Sequence, residues 1–112
     1  MSGLATERCR ACRPGTPPLD VAEIDALRRE LDPGWSVEEG RVLRRSLRFP
    51  DFARATACAV EIALVAQAED HHPDLRLGWG HLDVELTTHA IGGLSRNDFV
   101  LAAKIDRIAA AR

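Results

Sequence analysis

Helical and strand periods alternate along this chain and divide it into seven elements. Three segments carry apolar residues three or four positions apart, which is the spacing of one buried helix face. One begins after Asp20, one runs over about residues 52–69, and one opens at Ser95. Asp20 with Glu23, and Ser95 with Asp98, have the spacing of a capping box, in which two side chains satisfy free N–H groups at a helix start. The pattern therefore predicts three helices.

Segments of period two lie between these helices and predict four strands in two pairs. Turns at Gly40 and Gly80 join the members of each pair. In the second strand Leu43 and Leu47 share one face while arginines take the other, as expected for a sheet that is buried on one side. The strands are predicted over residues 35–38, 41–49, 75–79 and 81–89.

The resulting element order is helix, two strands, helix, two strands, helix, or αββαββα. It predicts an α+β fold, in which a four-stranded antiparallel sheet packs its helices on one face. The other face then meets water or a partner. An unpaired edge strand can also be extended by a second subunit, so the pattern allows a homo-oligomer.

The beginning of the chain differs from the rest. Prolines and a glycine between residues 14 and 18 oppose regular structure, so a flexible N-terminal tail is predicted over residues 1–18 and a folded domain over residues 19–112.

Cys9 and Cys12 form a CxxC pair within this tail. That spacing suits zinc or a redox couple. Zinc takes four ligands, and because the chain has no second cysteine pair, histidines would have to complete the site. A redox pair usually begins a helix, whereas this one precedes a proline-rich break. Two free thiols in an exposed tail are the favoured interpretation, and a zinc site is the alternative.

Composition and charge narrow the possible partners. The chain has 112 residues, 46% of them hydrophobic and 29% charged, which is typical of one globular domain. Its net charge of −2 provides no general attraction to nucleic acid or anionic lipid. Four arginines between residues 41 and 48 could form a basic strip, but no aromatic residues interleave with them to stack bases. We therefore expect no nucleic-acid partner.

Membrane association and export are not expected either. The longest apolar run is broken by Glu61 and is shorter than the roughly 20 residues that a spanning helix needs. The first 15 residues lack the apolar centre of a secretory signal. The expected location is the cytoplasm, where Cys9, Cys12 and Cys58 stay reduced.

Three of the four histidines lie near predicted element ends and are candidate proton-transfer groups. His71 and His72 follow the second helix, because Pro73 disfavours helical geometry at the residue before it. His89 ends the last predicted strand. Histidine exchanges protons near neutral pH, since its ordinary pKa is about 6.5. Structural roles remain open, because the pair could cap the helix C-terminus for about 0.3–1 kcal/mol, and Asp98 could serve the capping box alone.

The second half of the chain contains several features at fixed spacing, namely HHP at 71–73, Trp79, His89, Asp98, and the stretches 34–55 and 87–106 that surround them. Together they resemble the signature of the pterin-4a-carbinolamine dehydratases over residues 19–112, and the tail resembles that of a bacterial subgroup. The resemblance implies the αββαββα fold. It also implies dehydration of a 4a-hydroxytetrahydropterin to quinonoid dihydropterin, with no metal or other cofactor, in a homodimer or homotetramer.

The resemblance assigns roles to individual residues. His72 and His89 are the first choices for proton transfer, and His71 shares that role or binds the substrate. The implied substrate-binding residues are Trp79, Asp98 and Gln67. Family members often carry an acidic residue at the position of Gln67, so its presence predicts a slower enzyme or a shifted pH optimum. Glu69 cannot replace that acid, because it faces a different direction on the helix.

A non-catalytic function is the alternative interpretation. Relatives with this fold are known as dimerisation or assembly factors for other proteins, and a fold does not fix a function. The open sheet edge and the outer sheet face are the features that allow a binding module.

Overall fold

Three α-helices form where the apolar spacing predicts them. The structure is a computed structural model that describes residues 3–112, and residues 1 and 2 of the predicted tail lie outside the described residues. The helices are α1, Val21–Arg28; α2, Phe52–Glu69; and α3, Arg96–Ala110. The capping box of α1 is present, since Asp20 accepts the backbone N–H of Glu23 and Glu23 accepts that of Asp20. No helix within residues 3–112 combines the length and apolarity needed to cross a membrane.

Four strands form a single antiparallel sheet with the order β1-β2-β4-β3. They are β1, Ser36–Glu38; β2, Val42–Arg48; β3, Asp74–Gly78; and β4, His81–Leu86. β1 and β3 therefore form the two outer edges. The predicted α+β class and the order αββαββα are confirmed.

The core lies between one face of the sheet and the helices. Its sheet side consists of buried aliphatic residues on the two central strands, namely Leu43, Leu47, Leu82, Val84 and Leu86. Its helix side consists of Ala55, Cys58, Ile62 and Ala66 in α2 and Phe99, Ala102 and Ile105 in α3. Burying one Leu, Ile or Phe side chain contributes about 1.5–3 kcal/mol. The alanines leave room for α2 to lie close to the sheet.

Asp106 of α3 links three parts of this core. Its carboxylate accepts hydrogen bonds from Trp35 Nε1 at 2.7 Å and from the backbone N–H of Asp32 at 2.9 Å. Arg45 of β2 forms an ion pair with the same carboxylate. One of the four arginines considered as a basic strip is therefore used inside the fold.

β4 is shorter than predicted, and this changes the setting of His89. The strand ends at Leu86, and His89 begins a one-turn 3-10 helix, His89–Ile91. The Thr88 N–H bonds the Gly93 carbonyl at 3.0 Å, which turns the chain back on itself. Gly92 has φ +69, a left-handed conformation that suits glycine. His89 therefore lies on a turn and not at a strand end, because this bond closes a loop where the alternation would continue the strand.

The N-terminal segment packs on α3, which differs from the free tail that the prolines predict. Residues Leu4–Thr6 form a 3-10 helix, and the Leu4 side chain is only 1% exposed. Lys104 Nζ donates to the Ala5 carbonyl at 2.9 Å. One buried leucine and several backbone hydrogen bonds are enough to hold a segment that has little regular structure. The division of the chain at residues 18 and 19 stays a prediction.

Candidate active site

The end of α2 directs the histidine pair out of the helix. Asp70 ends the helix in the left-handed conformation at φ 52, which Asp tolerates better than most residues. The His71 N–H then bonds back to the Ala66 carbonyl at 3.2 Å. This closing turn satisfies a free carbonyl of the helix end and fixes where both histidine rings begin.

His71 is held by a buried carboxylate. Its Nε2 lies 2.7 Å from Asp98 Oδ1, and the His71 side chain is largely buried. An ionised carboxylate can only accept, so Nε2 carries the proton in this pair. Nδ1 is then the nitrogen of His71 that remains available to accept a proton.

Asp98 has a full set of donors although its side chain is 0% exposed. Its second oxygen, Oδ2, accepts from the Thr88 hydroxyl at 2.8 Å and from the Ser95 N–H at 2.9 Å. Because Thr88 donates its one proton to Asp98, the Ser95 hydroxyl donates to Thr88 Oγ1, 2.8 Å away. A buried carboxylate is stable only with such partners. The network therefore holds Asp98, and through it the ring of His71, in one orientation.

His72 is exposed and has a different partner. Its Nε2 lies 2.9 Å from Gln67 Oε1, one turn back on α2. Because a carboxamide oxygen accepts, Nε2 of His72 donates and its Nδ1 is left free. Glu69 does face elsewhere, as the sequence predicts, and accepts the Cys9 N–H at 2.7 Å.

The three predicted histidines line one cavity of about 280 Å³. It is completed by Arg10, Ala11, Cys12, Asp70, Thr87, Thr88, Ala90 and Asn97. The larger clefts of about 710 and 810 Å³ have no histidine among their lining residues. Ligand pockets usually measure about 300–1,000 Å³, so this cavity suits a small and compact molecule. It can offer up to three imidazole rings to one substrate.

The other predicted site residues fall in different places. Asp98 lies beneath His71, and Gln67 lies beside His72; each contacts a ring without lining the cavity. Trp79 is 75% exposed in the turn between β3 and β4 and is not a lining residue. His81, the fourth histidine of the chain, lies on β4 away from the cavity and pairs with Asp83.

The thiols do not support the zinc or redox alternatives. Burial and then the charge of Glu69 raise the pKa of Cys9 to about 11, so this thiol stays protonated near neutral pH and is a poor nucleophile. Within residues 3–112, no group of three or more His, Cys, Asp or Glu side chains is arranged to hold a metal ion. The geometry of these residues does not fit the zinc site proposed from Cys9, Cys12 and histidines.

Several residues near the histidines carry no obvious signal in the sequence. Ser95 has the pattern of a helix cap, although its backbone and hydroxyl also serve Asp98 and Thr88. Thr88 does have a signal in the sequence, because it is a polar residue on the buried face of an alternating segment. The wall formed by Arg10, Ala11 and Cys12 comes from a segment expected to be free.

Sequence comparison relates the chain to one family. A family model described as pterin 4 alpha carbinolamine dehydratase matches residues 17–108. A protein of Rickettsia canadensis, named provisionally as a pterin-4-alpha-carbinolamine dehydratase, is 45% identical over 106 residues, which are 95% of this chain and 97% of the relative. A protein of Rubrobacter xylanophilus with the same provisional name is 44% identical over 108 residues, which are 96% of this chain and 100% of the relative.

Two solved structures have a similar fold. The crystal structure of a transcriptional coactivator/pterin dehydratase from Brucella melitensis has a TM-score of 0.77 and 35% identity, and covers 82% of this chain and 98% of its own. A pterin dehydratase-like protein, identified as a RuBisCO assembly factor in the alpha-carboxysome, has a TM-score of 0.58 and 18% identity over 68% of this chain and 89% of its own. At 18% identity the likeness is one of fold alone.

Proposed function

The chain belongs to the pterin 4 alpha carbinolamine dehydratase family, and on this basis we propose that it converts a 4a-hydroxytetrahydropterin to quinonoid dihydropterin and water. The observation that carries this proposal is the set of three histidines on one small cavity, with His71 held by the buried Asp98. This dehydration is one step in recycling the tetrahydrobiopterin that aromatic amino-acid hydroxylases use, and a separate reduction of the quinonoid product completes the cycle.

The reaction needs two proton transfers and no change in oxidation state. The C4a–O bond breaks as the ring nitrogen N5 forms a double bond to C4a. One group delivers a proton to the leaving oxygen, which departs as water, and another group takes the proton from N5. Each positioned acid or base contributes about 100- to 10,000-fold to the rate. Imidazole as the base and imidazolium as the acid both exist near neutral pH.

We assign proton transfer first to His72 and His89. Both are exposed at the cavity, so they can exchange protons with solvent between turnovers. His71 has one nitrogen committed to Asp98 and offers the other, Nδ1, to bind the substrate or share the transfer. Gln67 keeps the ring of His72 oriented through Nε2.

A direct assay tests the dehydratase activity. We expect the chain to accelerate the loss of enzymatically generated 4a-hydroxytetrahydropterin, followed by ultraviolet absorbance, by at least about 100-fold over the spontaneous reaction, since two positioned histidines act on it. The reaction without protein provides the reference rate. No acceleration at micromolar protein would remove the proposal.

We also propose that the chain forms a homodimer or homotetramer. Three large apolar residues of α2, Phe52, Val60 and Leu64, are exposed at spacings that are multiples of four, so they share one side of the helix. β3 is an outer strand with an unpaired edge. Exposed apolar stripes and open edges are both features that a second copy can cover.

Changing Leu64 to Glu is expected to dissociate the proposed oligomer and so lower the mass of the protein in solution. A carboxylate on this stripe would be desolvated in an interface and oppose association. Sedimentation velocity measures the mass, and Val21→Glu, at an exposed apolar residue of α1, is the matched control. An unchanged oligomer in Leu64→Glu would place the interface elsewhere.

The exposed apolar stripe of α2, formed by Phe52, Val60 and Leu64, also favours a second candidate function, that of a non-catalytic dimerisation or assembly module. In that case a partner protein covers the stripe and the histidines have no role. A pull-down that recovers a stoichiometric partner, unaffected by His72→Ala and His89→Ala, together with no activity in the assay, would favour this module over the enzyme.

A further inference from the structure

One wall of the histidine cavity is formed by the N-terminal segment. Arg10, Ala11 and Cys12 line the cavity together with all three candidate histidines. These residues belong to a stretch, Glu7–Cys12, that we call the strap. The strap contacts α3 near its first turn, and it lies far from the histidines along the sequence.

Ion pairs and backbone hydrogen bonds hold the strap at its beginning and middle. Arg96 of α3 donates two hydrogen bonds to the carboxylate of Glu7, at 2.8 and 2.7 Å. Glu69 of α2 accepts the Cys9 N–H at 2.7 Å and pairs with Arg8 at 3.0 Å. The strap is therefore attached to both helices that flank the site.

These contacts also set the pH range in which the strap is held. The hydrogen bond from Arg96 is the main cause that lowers the pKa of Glu7. Burial acts to raise the pKa of Glu69. The hydrogen bond from the Cys9 N–H and the charges of Lys104 and Arg8 outweigh this effect, so the pKa of Glu69 is lowered overall. A carboxyl group whose pKa is lowered by folding stabilises the folded strap at pH values above its ordinary pKa of 4.5. This stabilisation is lost as the pH falls below 4.5 and the carboxyl becomes protonated.

Asn97 fixes the strap at the cavity itself. Its Oδ1 accepts the Arg10 N–H at 2.9 Å, and its Nδ2 donates to the Arg10 carbonyl. The carboxamide thus pairs with both backbone groups of a single residue, as a neighbouring strand would. These two hydrogen bonds fix the position from which the Arg10 side chain leaves the backbone.

The Arg10 guanidinium is exposed and uncommitted. Within residues 3–112 it has no hydrogen bond or ion pair, although its charge assists Arg96 in lowering the pKa of Glu7. Arg8 and Arg96, in contrast, are both engaged by carboxylates. The backbone of Arg10 is therefore fixed at the rim of the cavity, while its guanidinium is available to bind a ligand.

We propose that Arg10 is a specificity-determining residue that binds the substituent on carbon 6 of the pterin, and this rests on the proposed function. Carbon 6 is next to N5, so its substituent projects from the part of the ring that the histidines act on. The cavity of about 280 Å³ is at the small end for a ligand site and is open to solvent, so a substituent on the bicyclic ring extends towards the rim. A guanidinium has five N–H donors and selects hydroxyl or anionic groups over methyl.

The test compares Arg10→Ala with Arg13→Ala on two substrates. Arg13 is the matched control, because it is an exposed arginine three residues further on that does not line the cavity. The substrates are a 4a-hydroxytetrahydropterin with a dihydroxypropyl group on carbon 6 and its 6-methyl analogue. We expect Arg10→Ala to raise KM for the hydroxylated substrate by about 5- to 20-fold, with kcat unchanged, and to leave KM for the 6-methyl substrate within about twofold. Arg13→Ala should match the unchanged protein on both.

The possible outcomes separate this inference from the proposed function. An active protein in which Arg10→Ala leaves the ratio of the two KM values unchanged would overturn the inference alone. If the unchanged protein dehydrates neither substrate, fluorescence anisotropy with the stable oxidised pterins decides. A Kd for the hydroxylated pterin that rises only in Arg10→Ala would uphold the assignment of Arg10, and an equal Kd in all three proteins would overturn it.

Discussion

Changing Asp98 to Asn is expected to lower kcat by about 100- to 10,000-fold. The carboxylate accepts from His71 through one oxygen and from Thr88 and Ser95 through the other. The carboxamide that replaces it has only one oxygen. If that oxygen serves Thr88 and Ser95, the new amide group donates to His71 Nε2, and the proton of the ring moves to Nδ1. His71 then offers the substrate a donor where it offered an acceptor.

The opposite orientation of the new carboxamide carries its own cost. The amide group would then face the Ser95 N–H, and two donors would meet in a fully buried place. Losing one buried hydrogen bond costs about 1–3 kcal/mol, so the Asp98→Asn variant should also unfold at a lower urea concentration. Asp83→Asn is the matched control, because Asp83 bonds Ser46 on the outer face of the sheet. If kcat of Asp98→Asn equals that of the unchanged protein, the tautomer of His71 has no part in the reaction.

Removing His72 or His89 from the cavity is expected to have an effect of similar size. His72→Ala and His89→Ala should each lower kcat by about 100- to 10,000-fold, since each removes one proton-transfer group. The double variant should lose less than the product of the two, because groups that act in one step are not additive. His81→Ala is the control, since His81 lies on β4 and pairs with Asp83 away from the cavity. Full activity in both single variants would refute the assignment.

The substitution Gln67→Glu tests how the partner of His72 affects the protonation of its ring, which stays in place. A carboxylate at this position would still accept from Nε2 of His72 and would favour the protonated ring. The limb of the pH–rate profile that His72 governs should therefore move to higher pH. Superimposable profiles for the two proteins would show that residue 67 does not tune the site.

Local features of the sequence predicted the elements well, and contacts between distant residues less well. The capping boxes at Asp20 and Ser95 located two helix starts, because the groups that interact lie three residues apart. The alternation from residue 81 onwards predicted β4 but ran past Leu86, since the bond that turns the chain joins Thr88 to Gly93. Periodicity contains no information about such a closure.

The candidate site shows the same limit. The contact between His71 and Asp98 spans 27 residues and could be expected only from the family resemblance. The same resemblance grouped Trp79 with the histidines, yet the structure places it in an exposed turn. The strap lies just before the proline-rich residues 14–18 and has an irregular backbone, yet irregular backbone can be fixed when residues such as Asn97 and Glu69 supply hydrogen-bond partners.

The strap gives this protein a fixed order of assembly. Arg10 and Asn97 are 87 residues apart, so ribosomes adding about 5–20 residues per second make Asn97 roughly 4–17 s after Arg10. All three cavity histidines are synthesised within that interval. A nascent chain therefore contains all three imidazoles before α3 emerges, and the wall at residues 10–12 is fixed beside them only once Asn97 has been made.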